Sequence, residues 1–228
     1  MNKYIGVLAL SAVLVFAAHG HAKMPTDSNE TDGQCIEGEC LNGKGTKVFI
    51  AGNKYEGEFK NGLPEGKGVF IFFNGIRYEG SFKAGEYSGK GVLTSPDGMK
   101  YEGAFANDAP NGEGVMTMPD GIVLKGKFTN GVLNGKGVVT TPDGSELKGN
   151  FANGVLNGKG HKKLADGTTY DGDFVDSKFK GKGTLVTPDG SKYVGEFEDD
   201  LFHGKGTVTL ADGQKKTGRF EKGKFVGQ

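Results

Sequence analysis

The sequence contains no tryptophan, only two cysteines and four histidines, and no net charge, since 28 basic residues balance 28 acidic ones. Each shortage excludes something. Zero net charge gives broad nucleic-acid binding no electrostatic support, so no nucleic-acid partner is expected. Without tryptophan, an aromatic cage of the choline-binding kind has no walls. His19 and His21 fall in an N-terminal leader, and His161 and His203 stand far apart with no triad or metal set around them. Long apolar runs are scarce too. The run from Ile5 to Ala18 is shorter than the roughly 20 residues that span a bilayer. With Lys3 before it and the small residues Gly20 and Ala22 after it, it reads as a signal peptide over residues 1–22, cleaved after Ala22. A periplasmic or secreted protein is expected. No cysteine ends the run, which argues against a lipid anchor.

Residues 23–40 form a segment of their own, carrying Cys35 and Cys40. In an oxidising compartment these two are expected to join, as a clip worth at most about 2 kcal/mol. A metal site would need two more ligands, and Glu37 and Glu39 are poor companions for thiolates. No metal or cofactor is expected.

What the chain has in excess is glycine, 42 residues, together with 16 phenylalanines and 7 tyrosines. There is no three-residue period, so collagen is excluded, and the aromatics are too many for a flexible linker. The glycines belong to a longer period. Tyr55, Tyr78 and Tyr101 lie 23 residues apart, and the phase runs on through Leu124, Leu147, Tyr170 and Tyr193 to Lys216 without an insertion. Each unit opens YxGxF or LxGxF, passes through GxG, and reaches Asn-Gly or Asp-Gly, as at Asn74-Gly75 and Asp97-Gly98. Such dipeptides supply the positive φ that hairpin turns demand, so each unit is predicted to be a hairpin.

Alternation then assigns the faces. Tyr55, Gly57 and Phe59 point one way, Glu56 and Glu58 the other. Phe70, Leu93, Met116, Val139, Leu185 and Val208 should join the aromatic face, with Lys162 as the exception at that position. A ring laid across a neighbouring strand needs a position without a side chain beneath it, which accounts for the glycines.

These residues, in this spacing, resemble the MORN repeat family (membrane occupation and recognition nexus), whose pattern is YxGxFxxGxxxGxG. The resemblance covers 55–215 in full, within an array over 41–228 that has half units at both ends. Asp108, Ser177 and Asp200 replace the second glycine of that pattern, where the local turn geometry is expected to depart. The resemblance implies an all-β fold: an elongated, single-layer, twisted antiparallel sheet of tandem 23-residue hairpins. A lone sheet leaves its aromatic face under-buried unless twist or a partner covers it. The candidate binding residues are therefore Tyr55, Phe59, Tyr78, Phe82, Tyr101, Phe105, Phe128, Phe151, Tyr170, Phe174, Tyr193 and Phe197.

Other motifs dissolve on inspection. GxxxGKG, as at Gly62 to Gly68, lacks the spacing, the hydroxyl residue and the helix of a phosphate loop. Pro-Asp-Gly lacks the further oxygens a calcium site needs. Charge is uneven: residues 101–123 hold four acids and no base, whereas 124–169 hold seven lysines against three acids. Lys148, Lys162 and Lys163 could meet an anionic lipid or envelope component.

The sequence thus reads as a non-enzymatic periplasmic or secreted scaffold for an unknown protein partner, with phospholipid or envelope-surface binding as the alternative. At the C-terminus the strand around Gly218 and Phe220 is expected to lack its partner, an edge that could support a weak, lysine-opposed homodimer.

Overall fold

The computed structural model describes residues 33–228, and the expected signal peptide over residues 1–22 lies outside them. The described residues fall into two compact units, 33–132 and 133–228. All regular structure among them is strand. The first unit holds β1 (Gly33–Gly38), β2 (Lys44–Phe49), β3 (Lys54–Lys60), β4 (Leu63–Ile71), β5 (Arg77–Lys83), β6 (Glu86–Thr94), β7 (Lys100–Ala106), β8 (Ala109–Thr117) and β9 (Val123–Thr129). Beginning at the division, β10 (Val132–Thr140) is followed by β11 (Glu146–Ala152), β12 (Val155–Lys163), β13 (Thr169–Val175), β14 (Lys178–Val186), β15 (Lys192–Glu198), β16 (Leu201–Thr209), β17 (Lys215–Glu221) and β18 (Lys224–Gly227). Within each unit every strand pairs antiparallel with the next in sequence, as in β3 with β4 and β12 with β13. The expected all-β hairpin array is what the chain forms.

Two kinds of turn alternate, and their chemistry differs from the sequence expectation. The tight two-residue turns do not lie at the Asn74-Gly75 positions but at Asn61-Gly62 and its equivalents, where both residues have positive φ, 51° and 76°. This is the primed turn that matches strand twist. Where the second residue is not glycine the geometry holds: Asp108, Ser177 and Asp200 keep φ of 62°, 63° and 67°. Their side chains reach back 21 residues and accept from the backbone N–H of Tyr87, Leu156 and Phe179, at 2.8, 3.1 and 2.8 Å. At Pro64 and Pro110, which have no N–H to offer, the corresponding turn residues are Gly85 and Gly131.

The Asn74-Gly75 class makes the longer connection. Gly75 N–H donates to Phe72 O at 2.9 Å, Phe72 N–H donates to Ile76 O at 2.8 Å, and Asn74 Oδ1 accepts from Ile76 N–H at 3.2 Å. Asp97, Asp143, Asp166 and Asp189 repeat that Asx contact.

The ends are also paired. β1 is a strand beside β2, with the Cys35–Cys40 disulfide joining it to the following turn. β17 has a partner after all: the last residues form β18, which pairs Phe220 with Phe225. The expectation of an unpartnered C-terminal strand is corrected, because Lys224–Gly227 form the second strand of one more, shortened hairpin.

Candidate functional site

The aromatic face is not open. All twelve aromatic residues expected to bind a partner are buried, from Tyr55, Tyr78 and Tyr101 at 0% exposed to Phe59 at 5%. Two local features close the face. Gly57 pairs with Gly68, Gly68 with Gly80, and Gly80 with Gly91, so glycines run in a row across the strands. The tyrosine hydroxyl lies over that row: a methyl group on either Gly80 or Gly91 would come within 2.5 Å of Tyr78 Oη. Beside the row the register slips, at Gly57/Glu58 and again at Gly80/Ser81. A bulge of this kind bends its strand. Tyr87, which pairs with Phe82 four residues along the strand from Tyr78, would sit about 13 Å away in a flat sheet. It stacks on Tyr78 instead, with centroids 3.8 Å apart and planes 17° from parallel.

Each tyrosine is therefore boxed. Tyr78 meets Phe82 of its own hairpin edge-on at 5.1 Å and Phe105 of the next at 4.9 Å. Tyr170 repeats the arrangement with Phe174, Phe179 and Phe197. The third wall of the box, the row Pro64, Tyr87, Pro110, Leu133, Leu156 and Phe179, is buried and was not singled out from sequence. It recurs every 23 residues, so periodicity could have flagged it. Its role could not be read, because a flat strand carries it away from the tyrosines. The hydroxyls of the tyrosines that open the repeats donate to carbonyls three residues on, as Tyr55 to Glu58 O and Tyr78 to Ser81 O, both at 2.9 Å. Burial raises their pKa values, to about 12 for Tyr101 and Tyr193.

The lysine patch also changes. Lys148 and Lys163 are exposed, but Lys162 is buried at 6%, with Nζ 5.4 Å from the centre of the Phe179 ring. Burial lowers its pKa, against the pull of Asp200. It occupies the aromatic-face position that Phe70 and Leu93 fill elsewhere, so it cannot serve as a surface contact. Nearby charges are engaged with each other: Lys159 pairs with Asp173 at 2.8 Å, and His161 Nδ1 lies 2.7 Å from Asp171.

The open concave surface is on the other face of the first unit. There a groove of about 1120 Å³ runs across the strands from β1 to β9. Its floor is the glycine row, from Gly45 to Gly114. One wall is a line in which strand pairing alternates glutamate and valine: Glu56, Val69, Glu79, Val92, Glu102, Val115. The valines are half-buried and the three glutamates exposed. The other wall carries Lys44, Lys67 and Lys90, with the acid Glu58 paired across from Lys44. The glutamates hold exposed pairs with the base two residues before them, Arg77 to Glu79 at 2.7 Å and Lys100 to Glu102 at 2.9 Å. Among the described residues, no helix is long and apolar enough to cross a membrane. No three of His, Cys, Asp and Glu gather there as a metal set.

Comparison with known proteins gives one strong match. The family model for the MORN repeat fits seven consecutive stretches, residues 55–77, 78–100, 101–123, 125–146, 148–169, 170–192 and 193–215. No curated protein matches the chain. Among solved structures it is similar to the SAS-4 (dCPAP) TCP domain of Drosophila melanogaster in complex with a proline-rich motif of Ana2 (dSTIL). That likeness has 13% identity and a TM-score of 0.44, over 68% of this chain and 85% of that one. The TCP10 domain of Danio rerio CPAP is similar at 14% identity and a TM-score of 0.46, over 86% and 94%.

Proposed function

The chain belongs to the MORN repeat family, and on that premise we propose that it is a non-enzymatic scaffold which holds a partner polypeptide in the groove of its first unit. One observation carries the reading: burial of the aromatic face leaves the glycine-floored trough between Glu56–Glu102 and Lys44–Lys90 as the concave surface open to a partner. Its backbone floor and its walls of opposite charge suit a polypeptide, which brings both charges and backbone hydrogen-bonding groups. The leader and the Cys35–Cys40 disulfide support a periplasmic or secreted location.

The test is a photo-crosslinking residue placed at Val92, on the groove wall, or at Phe73, exposed on a turn. Adducts with polypeptide from Val92, absent from Phe73 and lost on Glu79→Lys, are expected. Adducts at Phe73 alone, or a Val92 adduct with lipid, would overturn the reading.

A further inference from the structure

The two walls of the groove are periodic, and the period restricts what can lie in it. Glu56, Glu79 and Glu102 stand on alternate strands of one line, so they recur once per hairpin. Lys67 and Lys90 stand on alternate strands of the other line, opposite Ser81 and Ala104. With strands about 4.8 Å apart, each charge recurs at about 9.6 Å along the groove. The lines themselves are separated by two residues along a strand, about 6.8 Å.

Few polypeptide conformations keep step with this. An extended β-strand returns to the same side every two residues, about 6.8 Å, and is out of phase after one hairpin. An α-helix, with a body about 10–12 Å wide, is broader than the gap between the lines. A polyproline II chain turns once every three residues and rises about 3.1 Å for each, a repeat of about 9.3 Å. Over three hairpins it drifts by only about 1 Å.

Resting on the groove reading above, we infer that the ligand is a segment in polyproline II conformation with a three-residue repeat: a base toward the glutamate wall, an acid toward the lysine wall, and a third residue facing away. Successive residues of this helix point about 120° apart, which divides them among the two walls and the open side. Proline suits the third position, since it fixes φ near −65° and biases its neighbour toward the same conformation. The wall charges are available. Glu79 and Glu102 are held only by exposed pairs, which are weak and exchangeable, and among the described residues Lys67 and Lys90 make no ion pair. The pattern also has an end. At the next hairpin both lines invert, to Lys125 in the first and Glu113 in the second, so the matched stretch is three turns of ligand, about nine residues.

The experiment uses the mature protein and a labelled peptide (Lys-Glu-Pro)4, followed by fluorescence anisotropy at low salt, with a peptide of the same composition in shuffled order as control. The repeating peptide should bind at least about five-fold tighter than the shuffled one. Glu79→Gln and Lys90→Gln, both at exposed positions, should each weaken it about two- to five-fold and leave the shuffled peptide unaffected. Equal binding of both peptides, sensitive to Glu79→Gln, would overturn the three-residue register while the groove stood as a polypeptide surface. Binding of neither peptide, with Val92 still trapping a polypeptide, would overturn the ligand class. Binding indifferent to both substitutions would place the peptide elsewhere and overturn the inference.

Discussion

The ring of Tyr87 stacks on that of Tyr78 at 3.8 Å, and its hydroxyl is the one buried side-chain polar atom among the described residues without a hydrogen-bond partner. The corresponding contacts elsewhere are Phe179 on Tyr170 and Phe202 on Tyr193, at 3.7 and 3.9 Å, where no hydroxyl is present. An unpaired buried hydroxyl costs about 1–3 kcal/mol. Tyr87→Phe should therefore stabilise the protein by about 1 kcal/mol, read as a higher urea midpoint at unchanged slope; a loss of stability would show that the hydroxyl has a partner.

The glycine row makes a sharper prediction. Gly91→Ala puts a methyl against Tyr78 Oη and should cost about 3 kcal/mol, because the ring is boxed on three sides and cannot retreat. Gly98→Ala meets nothing within 4 Å, and its only penalty is the φ of 96°, about 1 kcal/mol. Thermal unfolding of the two variants should rank them in that order.

Alkaline pH should unfold the protein through its tyrosines. Their folded pKa values are raised above 10, mainly by burial, so the stability they contribute is complete below pH 10 and lost as pH rises, by about pH 12 for Tyr101 and Tyr193. Lys162 acts in the opposite direction. Its folded pKa is lowered, so the folded state pays for a buried ammonium at neutral pH, and that cost fades as pH approaches 10.5. Lys162→Leu should accordingly raise the denaturation midpoint at pH 7 and gain progressively less as pH approaches 10.5. A gain independent of pH would mean that packing, not charge, limits this site.

Removing residues 222–228 should promote self-association. It strips β18 from β17, removes Phe225 and with it the ring 4.1 Å from Lys216 Nζ, uncovers Phe220, and leaves a fresh unpaired edge. Light scattering should find the full chain less associated than the truncated one at equal concentration. The reverse order would show that β18 is itself the adhesive edge.

Anionic liposomes should bind weakly and release at moderate salt, since burial of Lys162 leaves Lys148 and Lys163 to supply the charge at that patch. Salt-resistant binding to neutral vesicles would favour the phospholipid reading over the groove.

Sequence alone determined the hairpin period, the identity of the two faces and the reason for the glycines, because all three follow from near-neighbour rules: alternation along a strand, positive φ at turns, and space beneath a ring. Asp108, Ser177 and Asp200 looked like defects for the same reason, since the N–H each one serves lies 21 residues back and enters only with tertiary contact. Which face would be open was decided by the fold. The register slip beside Gly57 and Gly80 bends each hairpin until Pro64, Tyr87 and their equivalents close over the tyrosines, leaving the glutamate and lysine lines as the walls of the trough. Alternation labels two faces as different, but the sign of curvature depends on unpaired residues in the ladder, and strand periodicity carries no signal for those.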